Sequence, residues 1–247
     1  MDNVQPHERI FLAFDDETFE DRHKRMLDRV ALFVGGVKIG ITSFFTPMPN
    51  DDRISVGSAV RSRVRNYYPN LKIFIDGKFK DIDMQVAGAA RGVAKSGAWG
   101  FTMHASNSPS ALQAAVENAS PSLAIGVTIL TSMTDKDSFE IYGEKAASKV
   151  VKFARNFARA GGRAVVCSPL ELPLLGGIPL IKITPGIRNQ DSPPDEQRRT
   201  ATARDAVRNG ADFLVIGRPI TGASDPAGAA QRFAEEIESG FAARSSW

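Results

Sequence analysis

Charged residues stand where strand-forming sequence should be apolar. In Lys72-Ile-Phe-Ile-Asp-Gly-Lys-Phe79, Ile73 and Ile75 share one face, while Phe74, Asp76 and Lys78 share the other, because side chains alternate along a strand. With the isoleucines turned toward covering helices, Asp76 and Lys78 project to the opposite side near the strand's C-terminal end. Ile10-Phe-Leu-Ala-Phe-Asp15 repeats the pattern: Phe11, Ala13 and Asp15 share a face and the acid comes last. In Val37-Lys38-Ile39 the lysine opposes two apolar neighbours, and Asp81 follows just past the third strand. Any one of these could be a structural ion pair. As a set they are harder to explain that way, because buried charges cost several kcal/mol each unless paired and apolar replacements are often no less stable. Acids alternating with lysines favour each other's ionised forms, which suits chemistry carried by fixed charges.

A second feature suits an anion. Ile216-Gly-Arg-Pro219 ends the last strand-like run. Gly217 lets backbone approach an anion, and Arg218 offers a planar fork of donors. Thr184-Pro-Gly-Ile-Arg188 ends the run before it and leads into a polar loop containing Pro193 and Pro194.

The elements that must position these groups alternate in type along the chain. Strands are predicted at 10–15, 31–40, 72–79, 100–105, 123–130, 164–167, 180–184 and 212–217. Helices are predicted at 19–30, 58–68, 82–95, 110–118, 144–160, 199–209 and 227–239, with a short link at 170–175. About eight strand–helix units in 247 residues match an α/β fold of the (β/α)8 TIM-barrel type in a single domain, whose active sites lie at the C-terminal mouth and which often binds phosphate after strands seven and eight. No G-x-G-x-x-G follows the first strand, so an open dinucleotide-binding sheet loses support. The expected organisation is a flexible segment 1–9, a barrel over 10–240 and a tail 241–247.

Composition narrows the function classes. The chain is 43% hydrophobic and 24% charged, with one cysteine, three histidines and a net charge of +3. Cys167 alone can form neither an internal disulfide nor a cysteine zinc cage, so no metal site is expected. His104 and Cys167, each inside a strand pattern, are read as structural. No run approaches a membrane span and the N-terminus has no apolar leader, which points to a cytoplasmic setting. The mild positive charge lacks the dense basic block of a nucleic-acid binder.

Asp76-Gly-Lys-Phe-Lys-Asp-Ile82 resembles the D-x-K-x-x-D-I signature of orotidine 5′-monophosphate decarboxylases. Leu12-Ala-Phe-Asp15, Val37-Lys38-Ile-Gly40, Val127-Thr-Ile-Leu-Thr-Ser-Met133, Thr184-Pro-Gly-Ile-Arg188, Glu196-Gln-Arg-Arg199 and Gly210-Ala-Asp-Phe-Leu-Val-Ile-Gly-Arg-Pro-Ile220 resemble further motifs of that family, in its order. The resemblance implies metal-free, cofactor-free conversion of orotidine 5′-monophosphate to uridine 5′-monophosphate, the last step of pyrimidine synthesis, by a homodimer with shared sites. It implies Lys78 as proton donor to C6, Asp76 beside the substrate carboxylate, and Lys38 and Asp15 on the ribose hydroxyls, Lys38 also anchoring the charges. By the same resemblance, Asp81 would enter the partner's site. It further implies that Ser132 meets the pyrimidine edge, that Gln197 and Arg218 hold the phosphate, and that Pro185 and Gly217 join the substrate-binding set. Gln85 and Arg188 are further candidates.

The sequence also departs from the family pattern. Asp83-Met84-Gln85 stands where Pro-Asn-Thr is common, Asn189 where a proline often follows the arginine, and Asp191 where a glycine is common. Ser106-Asn-Ser108 lacks another usual glycine. Two alternatives remain at this point: a magnesium-dependent sugar-phosphate decarboxylase or synthase of the same suprafamily, and a non-catalytic nucleotide-binding barrel.

Overall fold

A computed structural model describes residues 3–188 and 199–244. Its barrel strands are β1 (Ile10–Phe14), β2 (Gly36–Gly40), β5 (Lys72–Phe79), β6 (Gly100–His104), β7 (Leu123–Val127), β8 (Ala164–Val166), β9 (Ile181–Thr184) and β10 (Phe213–Ile216). All pair in parallel and close in the order β1-β10-β9-β8-β7-β6-β5-β2. The principal covering helices are α1 (Asp21–Val30), α3 (Val56–Tyr67), α4 (Asp83–Lys95), α5 (Pro109–Asn118), α7 (Ala146–Arg159), α8 (Ala203–Arg208) and α10 (Pro226–Arg244). Shorter elements decorate the loops: α2 (Ile41–Phe45), the hairpin β3 (Pro47–Met48) with β4 (Asp51–Ser55), α6 (Asp135–Tyr142), α9 (Arg218–Thr221) and the 3-10 helix Pro169–Leu175. The single-domain (β/α)8 barrel expected from the alternation is the fold observed.

The alternation also sorts the core. Phe11, Phe74, Ile125, Ile183, Phe213 and Val215 form the cluster inside the barrel, with Trp99 packed against it. The rings of Phe11, Phe74, Trp99 and Phe213 lie 4.9–6.0 Å apart, filling the barrel with aromatic bodies. Their strand neighbours Ile10, Leu12, Ile73 and Ile75 join the larger layer between strands and helices. The helices present apolar stripes to that layer; on α7, Val150, Phe153, Ala154 and Phe157 recur at three- and four-residue spacing. With its floor apolar, the barrel places its polar inward residues at the C-terminal mouth.

Several boundaries differ from expectation for identifiable reasons. The strand expected at 31–40 begins only at Gly36. Ala31 and Phe33 donate back to Leu27 and Val30 as the end of α1, and Leu32 is exposed. The strand expected at 123–130 stops at Val127; Thr128 turns its hydroxyl to the Val166 carbonyl. The helix expected from Arg199 begins at Ala203, capped by the Thr202 side chain. The segment between the strand and helix expected at 123–130 and 144–160, where no element was expected, contains α6, with a reciprocal cap between Thr134 and Asp137. At the ends, His7–Arg9, within the segment 1–9 expected to be flexible, forms a 3-10 turn. Arg9 is buried, donates to the Val4 and Asp212 carbonyls and stacks on Phe241. The last helix continues to Arg244, through the start of the expected tail.

Candidate active site

The inward charges meet at the mouth of the barrel. Lys38 Nζ donates to Asp15 at 2.8 and 3.1 Å and to Asp76 Oδ2 at 3.2 Å. Lys78 Nζ donates to the same Asp76 oxygen at 2.9 Å. The result is a continuous chain, Asp15–Lys38–Asp76–Lys78, drawn from β1, β2 and β5. Exposure rises outward from its centre: the side chains of Lys38 and Asp76 are 9% and 13% exposed, that of Lys78 32% and that of Asp15 54%. Burial alone would raise the Asp76 carboxyl pKa. Lys38 and Lys78, with hydrogen bonds from Lys78 and Thr102, override it and hold the group at about 2. Burial likewise opposes the charge on Lys38, yet Asp76 and Asp15 raise its pKa above the ordinary lysine value. Both groups are therefore ionised at neutral pH. Gly40 makes the geometry possible: a Cβ there would lie 1.6 Å from Asp15 Oδ1 and 3.4 Å from Lys38 Nζ.

This chain forms one wall of a cavity of about 670 Å³. Ile129, Leu130, Thr131 and Ser132, which follow β7, form another part of the lining, and Pro185, Gly186, Arg188, Gly217 and Arg218 occupy the side beyond β9 and β10. Gly186 adopts φ +80°, as the turn after Pro185 requires. Arg188 donates from its backbone to the Ala201 carbonyl and from its guanidinium to the Ile187 carbonyl. Arg199 ties this side to the rest: it pairs with Glu171 and donates to the Met133 carbonyl, directly after Ser132. The cavity lining thus combines an ion-paired chain, two arginines, and an apolar and hydroxyl-bearing stretch after β7.

A family model described as "Orotidine 5'-phosphate decarboxylase / HUMPS family" matches residues 8–233. The chain belongs to that family. It is 44% identical over 173 residues to the orotidine 5'-phosphate decarboxylase of Nitrosospira multiformis, covering 68% of this chain and 72% of that one. Its similarity to the enzyme of that name from Anaeromyxobacter sp. (strain K) is 37% over 238 residues, covering 94% and 99%. Among solved structures, the orotidine 5'-phosphate decarboxylase of Lactobacillus acidophilus superposes with a TM-score of 0.73 at 26% identity, covering 92% of this chain and 98% of that one.

For this family member, the structure brings Asp15, Lys38, Asp76, Lys78, Ser132, Pro185, Arg188, Gly217 and Arg218 around one cavity. Asp81 stands apart from it. It is exposed, and its carboxylate accepts from the Ile82 amide at 2.7 Å. Gln85 is exposed on the first turn of α4 and does not line the cavity. Gln197, with Asn189 and Asp191, lies outside the described residues. His104 faces inward from β6 without lining the cavity; its pKa is lowered by burial, then by Lys80 and Lys78. Cys167 is fully buried, which pushes its thiol up to about 12 and leaves it inert. No helix among the described residues is long and apolar enough to cross a membrane.

Two residues that hold the site were missed in the sequence. Thr102 bonds to both Asp76 and Lys78; its signal was its place between Gly100 and His104 on the inward face of β6. Arg199 was read as a helix start and as the end of the Glu196–Arg199 motif, with no role in the site. Its partner Glu171 is distant in sequence, so no local pattern links them.

Proposed function

We propose that this chain decarboxylates orotidine 5′-monophosphate to uridine 5′-monophosphate, the closing step of pyrimidine synthesis, without a metal or cofactor. The observation that carries the reading is the Asp15–Lys38–Asp76–Lys78 chain lining one cavity together with Arg188 and Arg218. The names of the chain's relatives support the same reaction.

Loss of carbon dioxide breaks the bond from C6 to the carboxylate carbon and leaves the electron pair on C6, in the ring plane with little delocalisation. The difficulty is electrostatic. Lys78 supplies positive charge where the carbanion develops and then the proton that forms the C6–H bond; water returns a proton to the lysine. Asp76 stands beside the departing carboxylate, and its repulsion disappears as neutral carbon dioxide leaves. Its low pKa supports this role, because the group stays ionised without help from substrate. Lys38 holds Asp76 charged and, with Asp15, binds ribose hydroxyls. Ser132 hydrogen-bonds the pyrimidine edge. Arg218 and the Gly217 backbone hold the phosphate with Gln197, and Pro185 and Arg188 complete that side. Distant phosphate contacts accelerate the chemistry to the extent that binding assembles the charged wall.

Asp81 completes the site of a second copy in a homodimer. Its position outside its own cavity supports this reading, as do the exposed apolar neighbours Ile82 and Met84, 60% and 70% accessible. The mixed lysine–carboxylate pairing supports metal-free chemistry, since ammonium groups occupy oxygens that a hard cation would take.

The test is ultraviolet-detected turnover of orotidine 5′-monophosphate by protein dialysed exhaustively against EDTA. Full activity with and without added magnesium is expected. Absence of turnover, or strict dependence on magnesium with activity on sugar phosphates instead, contradicts the proposal.

A further inference from the structure

The backbone that presents Lys78 is irregular. Between the pairs Ile75–Phe101 and Phe79–Met103, β5 contributes three residues, Asp76, Gly77 and Lys78, against one on β6, Thr102. The extra residues form a bulge. Within it Lys78 adopts φ +48°, the sole positive φ of a non-glycine residue among those described. Such a conformation persists only where its surroundings enforce it.

Thr102 fills the gap in the ladder. Its hydroxyl accepts from the Lys78 amide at 2.8 Å and donates to Asp76 Oδ1 at 2.8 Å. The residue is 1% exposed, so water does not replace these bonds. One oxygen therefore fixes the left-handed backbone of Lys78 and one oxygen of Asp76. It leaves Asp76 Oδ2 to receive Lys38 and Lys78.

We propose that Thr102 is a positioning residue for the decarboxylation: its hydroxyl clamps the β5 bulge so that the Lys78 ammonium and the Asp76 carboxylate are held in reacting register. The proposal rests on the reaction assigned above. The Thr102 bond also contributes to the low pKa of Asp76. Valine is close in shape to threonine but lacks the hydroxyl, and it leaves the Lys78 amide and an Asp76 oxygen unpaired. Serine keeps both bonds. The substitution acts on the reacting groups, while Ser132 and Arg218, assigned to substrate binding, are untouched.

The experiment compares wild type, Thr102→Val and Thr102→Ser for kcat on orotidine 5′-monophosphate, affinity for uridine 5′-monophosphate, and the pH titration of the Asp76 carboxyl carbon by NMR. Thr102→Val is expected to lose about ten- to a hundredfold in kcat, with nucleotide affinity held within about threefold. Thr102→Ser is expected to restore kcat to within about threefold of wild type. The Asp76 titration moves to higher pH in the valine variant and not in the serine variant. If Thr102→Val fails to fold, as judged by circular dichroism, Thr102→Ala takes its place with the same expectations. Near-normal kcat without the hydroxyl overturns the proposal; so does a serine variant as slow as the valine one, or a parallel loss of kcat and nucleotide affinity. The NMR titration needs no substrate. An inactive wild type with a shifted Asp76 titration defeats the assigned reaction while leaving the clamp in place, whereas an active wild type with an unmoved titration defeats the clamp alone.

Discussion

The two sides of the cavity are held in different ways. On the β1–β2–β5 side, functional groups stand on or directly after strands and hold one another: each of Asp15, Lys38, Asp76 and Lys78 has an oppositely charged neighbour within 3.2 Å. On the β9–β10 side, Pro185, Gly186, Arg188, Gly217 and Arg218 lie past the strand ends, and backbone bonds such as Arg188 to Ala201 fix the chain. The first side is electrically complete before substrate arrives, as preorganised electrostatic catalysis requires. The second carries the arginines that the proposed function assigns to the phosphate side. Under the proposed function, chemistry belongs to the first side and affinity to the second.

That division is open to attack, beginning where the effect is largest. Lys78→Ala and Asp81→Ala proteins, each inactive alone, should recover roughly a quarter of wild-type specific activity when mixed 1:1, unfolded and refolded together, because half the dimers are mixed and half of their sites are intact. No recovery, with mixed dimers confirmed, places Asp81 in its own subunit. Gly40→Ala attacks the charged side through packing. The new methyl would sit 1.6 Å from Asp15 Oδ1, and displacing the pair should lower kcat/KM about a hundredfold; unchanged kinetics would mean that the pair can move freely. Arg218→Ala attacks the other side. Loss of a charge-assisted bond of about 1.5–3 kcal/mol should weaken uridine 5′-monophosphate about ten- to a hundredfold and leave uridine binding unaltered. Equal losses for both ligands in calorimetric titration would contradict a phosphate role.

The smallest effect is on acid stability. The folded pKa of Asp76, about 2, lies below that of an unfolded aspartate, about 3.9. Its contribution is therefore present above about pH 4 and is lost as pH falls through 2, about 2 kcal/mol of it between pH 5 and pH 2. Denaturant titrations at pH 5 and pH 2 should show wild type losing that much more than Asp76→Asn. Equal losses would mean that the carboxylate is not held by its lysines.

Much of this contrast could be read from the sequence, and what could not follows from physics. The charged side was legible because strand alternation is a two-residue rule: once Ile73 and Ile75 face the helices, Asp76 and Lys78 have one direction left. The barrel followed from repeated units with the same local signals. The bulge was not legible, since the pattern Ile-Asp-Gly-Lys-Phe keeps its alternation whether or not β5 gains residues against β6, and so Thr102 went unnoticed. Short elements also escaped. The hairpin turning at Pro49-Asn50 has strands too brief for periodicity, and α6 reads as polar because its single buried residue is Ser138. Arg199–Glu171 joins segments 28 residues apart, a contact set by tertiary packing alone. Asp81 was placed by resemblance; nothing in a single chain's alternation says which subunit it serves.

The central claim, that the charged side reacts while the other side holds, is tested most directly by Lys78→Ala. Two quantities are measured on the same folded preparation: turnover of orotidine 5′-monophosphate and calorimetric affinity for uridine 5′-monophosphate. The account predicts that turnover falls by about a thousandfold or more, because proton donation and charge stabilisation are lost together, while nucleotide affinity stays within about threefold of wild type. Near-normal turnover, or a loss of affinity that matches the loss of turnover, would contradict it.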